Sequence, residues 1–321
     1  VTEDEVVAAI REIVARDTRI LLGIGDDAAL WQPSRSNRSA ISTDMLVDGI
    51  HFSSELMSRY DAGWRAMTAN ASDLAAMGAR PVLATVALGV PERASFEEIC
   101  DVYRGLAASA ADAGLAIAGG DLSRAPAVTI AITVVGEVRA NEAKTRAGGR
   151  AGDVVAVTGD LGAARAGLEA AKQPEPLEGA LRESALSAFR RPRARCAEGR
   201  FLAASRNVTA MMDCSDGLST DLDRLCAASG VGAIVERVPV APAADAVARR
   251  LGEEPERFAL AGGEDFELVA CVRPRAFEYL ASRFEKRFGR PLQRIATLRA
   301  QPGMEFRGEV LRRSGWDHFG R

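Results

Sequence analysis

The chain has 321 residues, 47% of them hydrophobic and 26% charged, which is enough for about two domains with a sizeable core. Its 41 Lys+Arg nearly balance 44 Asp+Glu, for a net charge of −3, and this excludes the basic surplus of a generic nucleic-acid binder. The only histidines are His51 and His318 and the only lysines Lys144, Lys172 and Lys286, so a His-rich zinc site and a Gly-Lys-Ser/Thr phosphate loop are both excluded. The five cysteines (Cys100, Cys196, Cys214, Cys226 and Cys271) show no C-x-x-C spacing. They argue against structural zinc and a disulfide framework, and for a reducing compartment. The acidic start has no apolar signal-peptide stretch and no run reaches the length of a membrane span, so the expectation is a cytoplasmic protein without membrane or nucleic-acid partners.

In chain order, Glu3 to Ala15 has helical apolar spacing at Val6, Val7, Ile10, Ile13 and Val14. Ile20 to Leu22 reads as a strand, broken by Gly23-Ile-Gly-Asp-Asp27, and Ala40 to Thr43 as a second short strand ending at Asp44. A helix is expected from Tyr60 to Met77, stopped at Gly78, and a buried strand over Val82 to Val90. Ser95 with Glu98 forms a capping box for a helix that runs to Ala113 and stops at Gly114. Leu115 to Ala118 leads as a strand into Gly119-Gly-Asp121, and Val128 to Val138 is a longer β-branched strand. The apolar-poor segment Asn141 to Gly152 divides an N-terminal domain, 1–140, from a C-terminal one, 151–321. Beyond it come a strand Val154 to Val157 and a helix Leu161 to Ala170 capped by Asp160. The strand Val208 to Met212 enters Asp213-Cys-Ser-Asp-Gly217, followed by a helix Leu218 to Ala228 and a strand Gly232 to Val240. Ala259 to Asp265 precedes a strand Phe266 to Val272, and the last helix spans Ala276 to Phe288. Strands and helices alternate in both halves, so the fold class is α/β (α+β) with two domains.

The recurring feature is a short strand, a glycine turn and an acid. It appears at Gly25-Asp-Asp27, Gly119-Gly-Asp121, Gly159-Asp160 and Gly262-Gly-Glu-Asp265, with related aspartates at Asp44, Asp73, Asp213 and Asp216. Glycine lets a backbone turn sharply and approach a ligand closely. Gathered carboxylates repel one another and call for a hard, oxygen-seeking cation such as Mg²⁺, which is commonly shared with substrate phosphates. Singly, each acid reads as an ordinary turn or cap residue, and Asp48, Asp153, Asp160, Asp221 and Asp223 stay in that class. Gly23-Ile-Gly-Asp-Asp-Ala28 mimics a dinucleotide fingerprint. The following Trp31-Gln-Pro-Ser-Arg35 is a poor helix start, and two aspartates would repel a pyrophosphate, so that reading is rejected.

These motifs, in this order, resemble thiamine-monophosphate kinase. The residues that carry the resemblance are Gly23-Ile-Gly-Asp-Asp-Ala28, Ile41-Ser-Thr-Asp-Met-Leu-Val47 with His51-Phe52, and Asn70-Ala-Ser-Asp-Leu-Ala-Ala-Met-Gly-Ala79. Gly119-Gly-Asp121, Asp213-Cys-Ser-Asp-Gly-Leu218, Gly262-Gly-Glu-Asp-Phe-Glu267 and Gly315-Trp-Asp-His-Phe319 complete the set. The wider superfamily is that of aminoimidazole ribonucleotide synthetase. The resemblance implies a two-domain synthetase-like fold, with an N-terminal mixed sheet that forms a barrel with a second copy in a homodimer and a C-terminal α/β domain. It also implies transfer of the ATP γ-phosphoryl to thiamine monophosphate, the last step of thiamine diphosphate formation. By the same resemblance Asp27, Ser42, Thr43, Asp44, Asp73, Asp121 and Asp213 would hold several Mg²⁺ ions, with Asp216 holding a further metal. Tyr103, Gly120, Asp121, Arg146 and Ser215 would line the ATP site, and His51, Glu264 and Trp316 would contact thiamine monophosphate.

The chemistry of such a transfer agrees with this residue set. The attacking phosphate oxygen is already ionised, so no separate general base is needed, and charge neutralisation with in-line positioning is what remains. Arg146, in a flexible boundary segment, could grip a phosphate bidentately. Trp316, in the tail, could stack on a cationic heterocycle and Glu264 could balance its charge. The alternatives are another ATP-dependent synthetase of the superfamily and a non-catalytic nucleotide- and metal-binding protein. A first cysteine as late as Cys100 and a last one at Cys271 lower the branches that expect a reactive cysteine near the N-terminus or at the C-terminus.

Overall fold

The computed structural model describes residues 2–24, 28–172, 177 and 179–315. The chain forms two units, Val1–Leu74 with Ala79–Ala140, and Ala75–Gly78 with Asn141–Arg321.

In the first unit, helix α1 (Glu3–Ile13) is opened by a capping box in which Thr2 and Glu5 each accept the other's amide. Strands β1 (Ile20–Leu22) and β2 (Leu30–Trp31) pair antiparallel. The chain after Ala29 therefore enters a strand where a dinucleotide fold would need a helix. Strand β3 (Asn37–Val47), helix α2 (Arg59–Ala76), strand β4 (Arg80–Val90), helix α3 (Phe96–Ala113), strand β5 (Ala116–Arg124) and strand β6 (Thr129–Arg139) complete the unit. The four long strands form a mixed sheet in the order β3-β6-β4-β5, with only β4 and β5 parallel.

One face of this sheet is apolar and covered. Ile130, Ile132 and Val134 of β6 and Val86 and Leu88 of β4 are at most 1% exposed. α2 and α3 cross closely at two glycines, because a Cβ on Gly63 would lie 2.1 Å from the Val102 carbonyl oxygen and one on Gly105 would lie 1.9 Å from that of Tyr60. The opposite face carries the alternate residues, among them the exposed Ile41 and Met45.

Two strands run further than their apolar cores predict. β3 pairs with β6 residue by residue from Asn37↔Arg139 to Val47↔Thr129, so Asp44 lies inside the strand and not at its end. β5 likewise continues through Gly119-Gly-Asp121 to Arg124, so this motif is strand and not turn. The glycines are accommodated because the ladder to β4 skips Ala118: Ile117 pairs with Ala84 and Gly119 with Thr85. That extra residue is a bulge, and it sets which way everything after it faces.

The second unit is built on a seven-stranded sheet. Its strands are β7 (Val154–Val157), β8 (Val208–Cys214), β9 (Gly232–Val235), β10 (Glu267–Val272), β11 (Gln293–Arg299), β12 (Gly303–Phe306) and β13 (Glu309–Leu311). They lie in the order β13-β12-β9-β11-β7-β10-β8, antiparallel except for β12 against β9. Helices α4 (Ala163–Lys172), α5 (Gly179–Arg190), α6 (Cys196–Ala203), α7 (Leu218–Ser229), α8 (Pro242–Leu251), α9 (Pro255–Ala261) and α10 (Pro274–Phe288) accompany it. β9 stops at Val235, short of the expected Val240: the backbone leaves the ladder where Glu236 and Arg237 both donate to the Ile295 carbonyl. The core joins α7 and the sheet through Leu218, Leu222, Leu225, Met212, Val269, Ile295 and Phe306.

The expected Asp160 cap is not made. α4 starts two residues later than predicted, Asp160 instead accepts from the Gln293 side-chain Nε2, and the backbone amides at the start of α4 are taken by Asp265. All five cysteines are free and buried. Among the described residues no helix is long and apolar enough to cross a membrane.

Candidate active site

In the first unit the sheet splits the expected oxygen ligands between its two faces. On the helix-covered face, the Ser42 hydroxyl donates to Asp73 of α2, and Asn70 Oδ1 accepts the Asp44 amide at 2.9 Å. Asn70 is completely buried and its own amide donates to the Ala66 carbonyl at 2.9 Å, so it fixes Asp44 against the helix. β3 is an edge strand, and Asn70 supplies the partner that this stretch of its outer edge lacks. The sequence motif contains Asn70, but nothing in its spacing shows that it serves a strand 26 residues away.

On the open face, the Thr43 hydroxyl donates to the Ile132 carbonyl at 2.9 Å and accepts from Thr133 at 3.3 Å. Asp121 is exposed on this same face, in the cross-strand row Met45–Ala131–Ala87–Asp121. The bulge at Ala118 is the cause. Without it the register would put Asp121 beside Leu88, which is 1% exposed on the covered face. A shallow depression of 230 Å³ lies here, lined by Thr85, Val86, Ala87, Gly120, Asp121, Ala131 and Thr133. Gly120 is required by close approach, since a Cβ would sit 1.9 Å from the Val86 carbonyl oxygen. Tyr103 is 3% exposed on α3, and burial together with the Asp121 charge raises its phenol pKa.

His51 lies in the turn after β3, where its Nδ1 accepts the Val47 amide at 3.1 Å. An accepting Nδ1 puts the proton of the neutral ring on Nε2, which is then a donor. The turn is pinned by Asp48, which accepts from the Ser54 amide at 3.0 Å, from its hydroxyl and from Arg59 at 3.1 Å. Burial works against the ionised Asp48 carboxyl, but Ser54 and Arg59 outweigh it and hold the pKa below its ordinary value.

In the second unit, two motif loops interlock. Asp213, next to the last residue of β8, is 3% exposed. The Ser215 carbonyl accepts the Glu264 amide at 2.7 Å, and the Cys214 carbonyl accepts the Phe266 amide at 3.0 Å. Buried Asp221 accepts the amides of Ser215 at 3.0 Å and Asp216 at 2.9 Å. Arg224 donates both to Asp221, at 3.0 Å, and to Asp216. Burial first, and the Asp216 charge second, push the Asp221 pKa up to about 6 against those donors. The sequence treats Asp221 as a plain helix residue, and here it organises the loop that carries Asp216.

Arg146 is exposed, but its segment is held and is not a loose connector: Met211 donates to the Thr145 carbonyl at 3.0 Å and Ser229 to the Arg146 carbonyl at 2.8 Å. The tail is fixed along the first turn of α7, with the Ser314 and Gly315 amides on the Ser219 and Thr220 hydroxyls at 3.2 and 3.0 Å. A Cβ on Gly315 would lie 1.8 Å from the Asp216 carbonyl oxygen, so only glycine fits there. Asp27 and Trp316 lie outside the described residues. Among the described residues, no three His, Cys, Asp or Glu side chains gather closely enough to cage a metal ion.

Residues 25–138 match the AIR synthase related protein N-terminal domain, and residues 150–308 match the C-terminal domain of the same family. The chain is 39% identical to a thiamine-monophosphate kinase of Synechococcus elongatus over 255 residues, 78% of this chain and 77% of that one. The chain belongs to the thiamine-monophosphate kinase family. Its fold is similar to the crystal structure of thiamine-monophosphate kinase from Stenotrophomonas maltophilia, with a TM-score of 0.84, 34% identity and 96% of each chain covered. It is also similar to AaThiL complexed with AMPPCP and TMP, with a TM-score of 0.79, 27% identity, and 90% of this chain and 89% of that one covered. The two-domain AIR synthase-like α/β fold is therefore the family's fold.

Proposed function

We propose that this protein is an ATP-dependent kinase that phosphorylates thiamine monophosphate to thiamine diphosphate by direct γ-phosphoryl transfer. The observation that carries it is an acidic, oxygen-only donor set in each unit: in the first, Ser42, Asp44 and Asp73 against α2 with Thr43 and Asp121 on the open face, and in the second, Asp213 near the end of β8 with Asp216 in the loop after it. The family relationship names the reaction, and the complex of the relative AaThiL with AMPPCP and TMP supplies the pair of ligands.

An all-oxygen donor set fits Mg²⁺, an ion that is commonly held by one or two carboxylates plus substrate phosphates. Asp27, Ser42, Thr43, Asp44, Asp73, Asp121, Asp213 and Asp216 are the residues that would hold several such ions. When bound, the ions neutralise the charge of the phosphates and of the transferring group.

The chain's own groups then bind and orient. Gly120, beside Asp121, lets the backbone come close to the nucleotide, and Tyr103, Ser215 and the exposed Arg146 guanidinium complete the ATP contacts. The His51 Nε2–H donates to the phosphate of thiamine monophosphate. Glu264 meets the positively charged acceptor heterocycle, and Trp316 stacks on it. No side chain needs to remove a proton, because the attacking phosphate oxygen is already ionised.

The protein forms a homodimer through the open face of the first unit's sheet. Support comes from Ile41 and Met45, 72% and 54% exposed there, with the aliphatic row beside them. A Met45→Glu variant tests this by sedimentation: loss of the dimer supports the interface, and an unchanged sedimentation coefficient removes it. The activity is tested by incubating purified protein with ATP, Mg²⁺ and thiamine monophosphate and measuring thiamine diphosphate. Product that requires all three supports the reading, and ATP binding without product refutes it.

A further inference from the structure

Two left-handed residues that are not glycine flank one half-buried acid in the loop before β10. Glu264 has φ 66° and Phe266 has φ 50°, and Asp265 lies between them. Side chains with a Cβ resist this region, and for a bulky phenylalanine it is a rare conformation. Two such residues in three positions persist only where the surroundings over-determine the backbone. Those surroundings are visible here. Asp265 Oδ2 accepts the Gly162 amide at 2.7 Å, and Oδ1 accepts the Ala164 amide at 3.2 Å. The carboxylate thus binds amides at the N-terminus of α4, that of Gly162 just before the helix and that of Ala164 in its first turn, where the helix dipole favours a negative charge.

The residues on either side are fastened in the other direction. The Glu264 amide reaches the Ser215 carbonyl at 2.7 Å and the Phe266 amide reaches the Cys214 carbonyl at 3.0 Å. Gly263 makes the close approach possible, since a Cβ there would lie 2.8 Å from the Ser215 carbonyl oxygen. Asp265 therefore ties the loop to α4 while its two neighbours tie it to the loop that carries Asp213 and Asp216.

We propose that Asp265 is a positioning residue for acceptor recognition, holding Glu264 in its left-handed conformation against Ser215 so that the Glu264 carboxylate meets thiamine monophosphate. This rests on the assignment of Glu264 to that substrate. Asp265 acts through Glu264, so its loss raises the KM for the acceptor and leaves that for ATP in place.

The test measures both KM values and kcat in wild type, Asp265→Asn, Glu264→Gln and the double variant. Asp265→Asn keeps one acceptor oxygen for the α4 amides, and Asp265→Ala removes both. The expected result for Asp265→Asn is a KM for thiamine monophosphate raised about tenfold, with that for ATP changed less than about twofold. The Ala variant should be worse than Asn in the same direction. In the Glu264→Gln background the Asn substitution should add nothing further, because the group it positions is already changed. Equal increases for both substrates, or effects that multiply fully in the double variant, overturn the proposal. Amide hydrogen exchange at Glu264, read in the same proteins, does not depend on turnover. Faster exchange in Asp265→Asn supports the tether and unchanged exchange overturns it. A wild type with a protected Glu264 amide and no turnover refutes the kinase reading instead.

Discussion

Gly120→Ala is the substitution whose consequence follows most directly from the geometry. The added Cβ would lie 1.9 Å from the Val86 carbonyl oxygen, 2.9 Å from its carbon and 3.2 Å from its nitrogen. All three atoms are backbone of β4, buried in the middle of the sheet, so no flexible side chain can move aside. Reaching the 3.4 Å at which ordinary contact begins requires about 1.5 Å of separation between β5 and β4. That breaks the two or three ladder hydrogen bonds around Gly120, at about 1 kcal/mol each. Loss of about 2–3 kcal/mol lowers the melting temperature by roughly 5–10 °C in a unit of this size. The same shift carries Asp121, the next residue, off its position on the open face, and a misplacement of about 1 Å costs on the order of a hundredfold in rate. The neighbouring glycine supplies the control, since a Cβ on Gly119 would have nothing within 4 Å. Thermal melting and thiamine monophosphate kinase turnover of both variants decide the matter. The reasoning is refuted if Gly120→Ala melts and turns over like wild type, or if Gly119→Ala loses as much stability as Gly120→Ala.

Asp44→Asn should lower turnover about a hundredfold or more while thermal melting stays close to wild type, and unchanged turnover would remove Asp44 from the site. Glu137 accepts from the Ser34 amide at 2.9 Å, Arg80 at 2.8 Å and Asn37 at 3.3 Å. Burial raises its pKa, but these donors outweigh it and hold the carboxyl below its ordinary 4.5. Its contribution is therefore present above pH 4.5 and lost as pH falls through the lower folded value. Urea unfolding of Glu137→Gln should show a deficit of about 1–3 kcal/mol at neutral pH that shrinks on acidification, and a pH-independent deficit would contradict the assignment. Gly105→Ala drives a methyl group to 1.9 Å from the Tyr60 carbonyl oxygen and should destabilise the α2–α3 crossing by about 3 kcal/mol in the same assay. Wild-type stability would mean that the helices separate without loss.

The sequence shows what depends on local periodicity and punctuation. The α3 capping box at Ser95 and Glu98, its stop at Gly114 in the left-handed region, and the Gly78 stop after α2 are where chemistry and spacing place them. What it hides depends on partners far along the chain. β3 reads as four residues because only Ala40 to Thr43 form a compact strand signal, yet pairing with β6 extends it to eleven. The face on which Asp121 lies turns on one skipped residue, Ala118, and no periodicity marks a bulge. The motifs contain Asn70 and Asp265, but the role of each stays hidden for the same reason. Each serves a backbone amide in another element, 26 and about 100 positions away. Asp160 looks like the cap of α4 because it stands just before it, and the cap comes instead from a distant loop.

In the second unit's loops aspartates hold the backbone, and Arg224 bridges Asp221 and Asp216 beside them. Asp221 and Asp265 fix their loops by accepting backbone amides, two each. An amide gives a carboxylate direction without a long side chain to immobilise and without adding a full positive charge. Burial raises the two pKa values to about 6 and about 7, so the amides offset only part of the cost of keeping these groups charged. Arg224 adds one cation to these interlocked motifs, shared between Asp221 and Asp216, against the carboxyl groups of Asp213, Asp216, Asp221 and Glu264. If the proposed Mg²⁺ ions accompany the substrate phosphates, they offset carboxylate charge that a single arginine does not, and bare phosphates are disfavoured beside it.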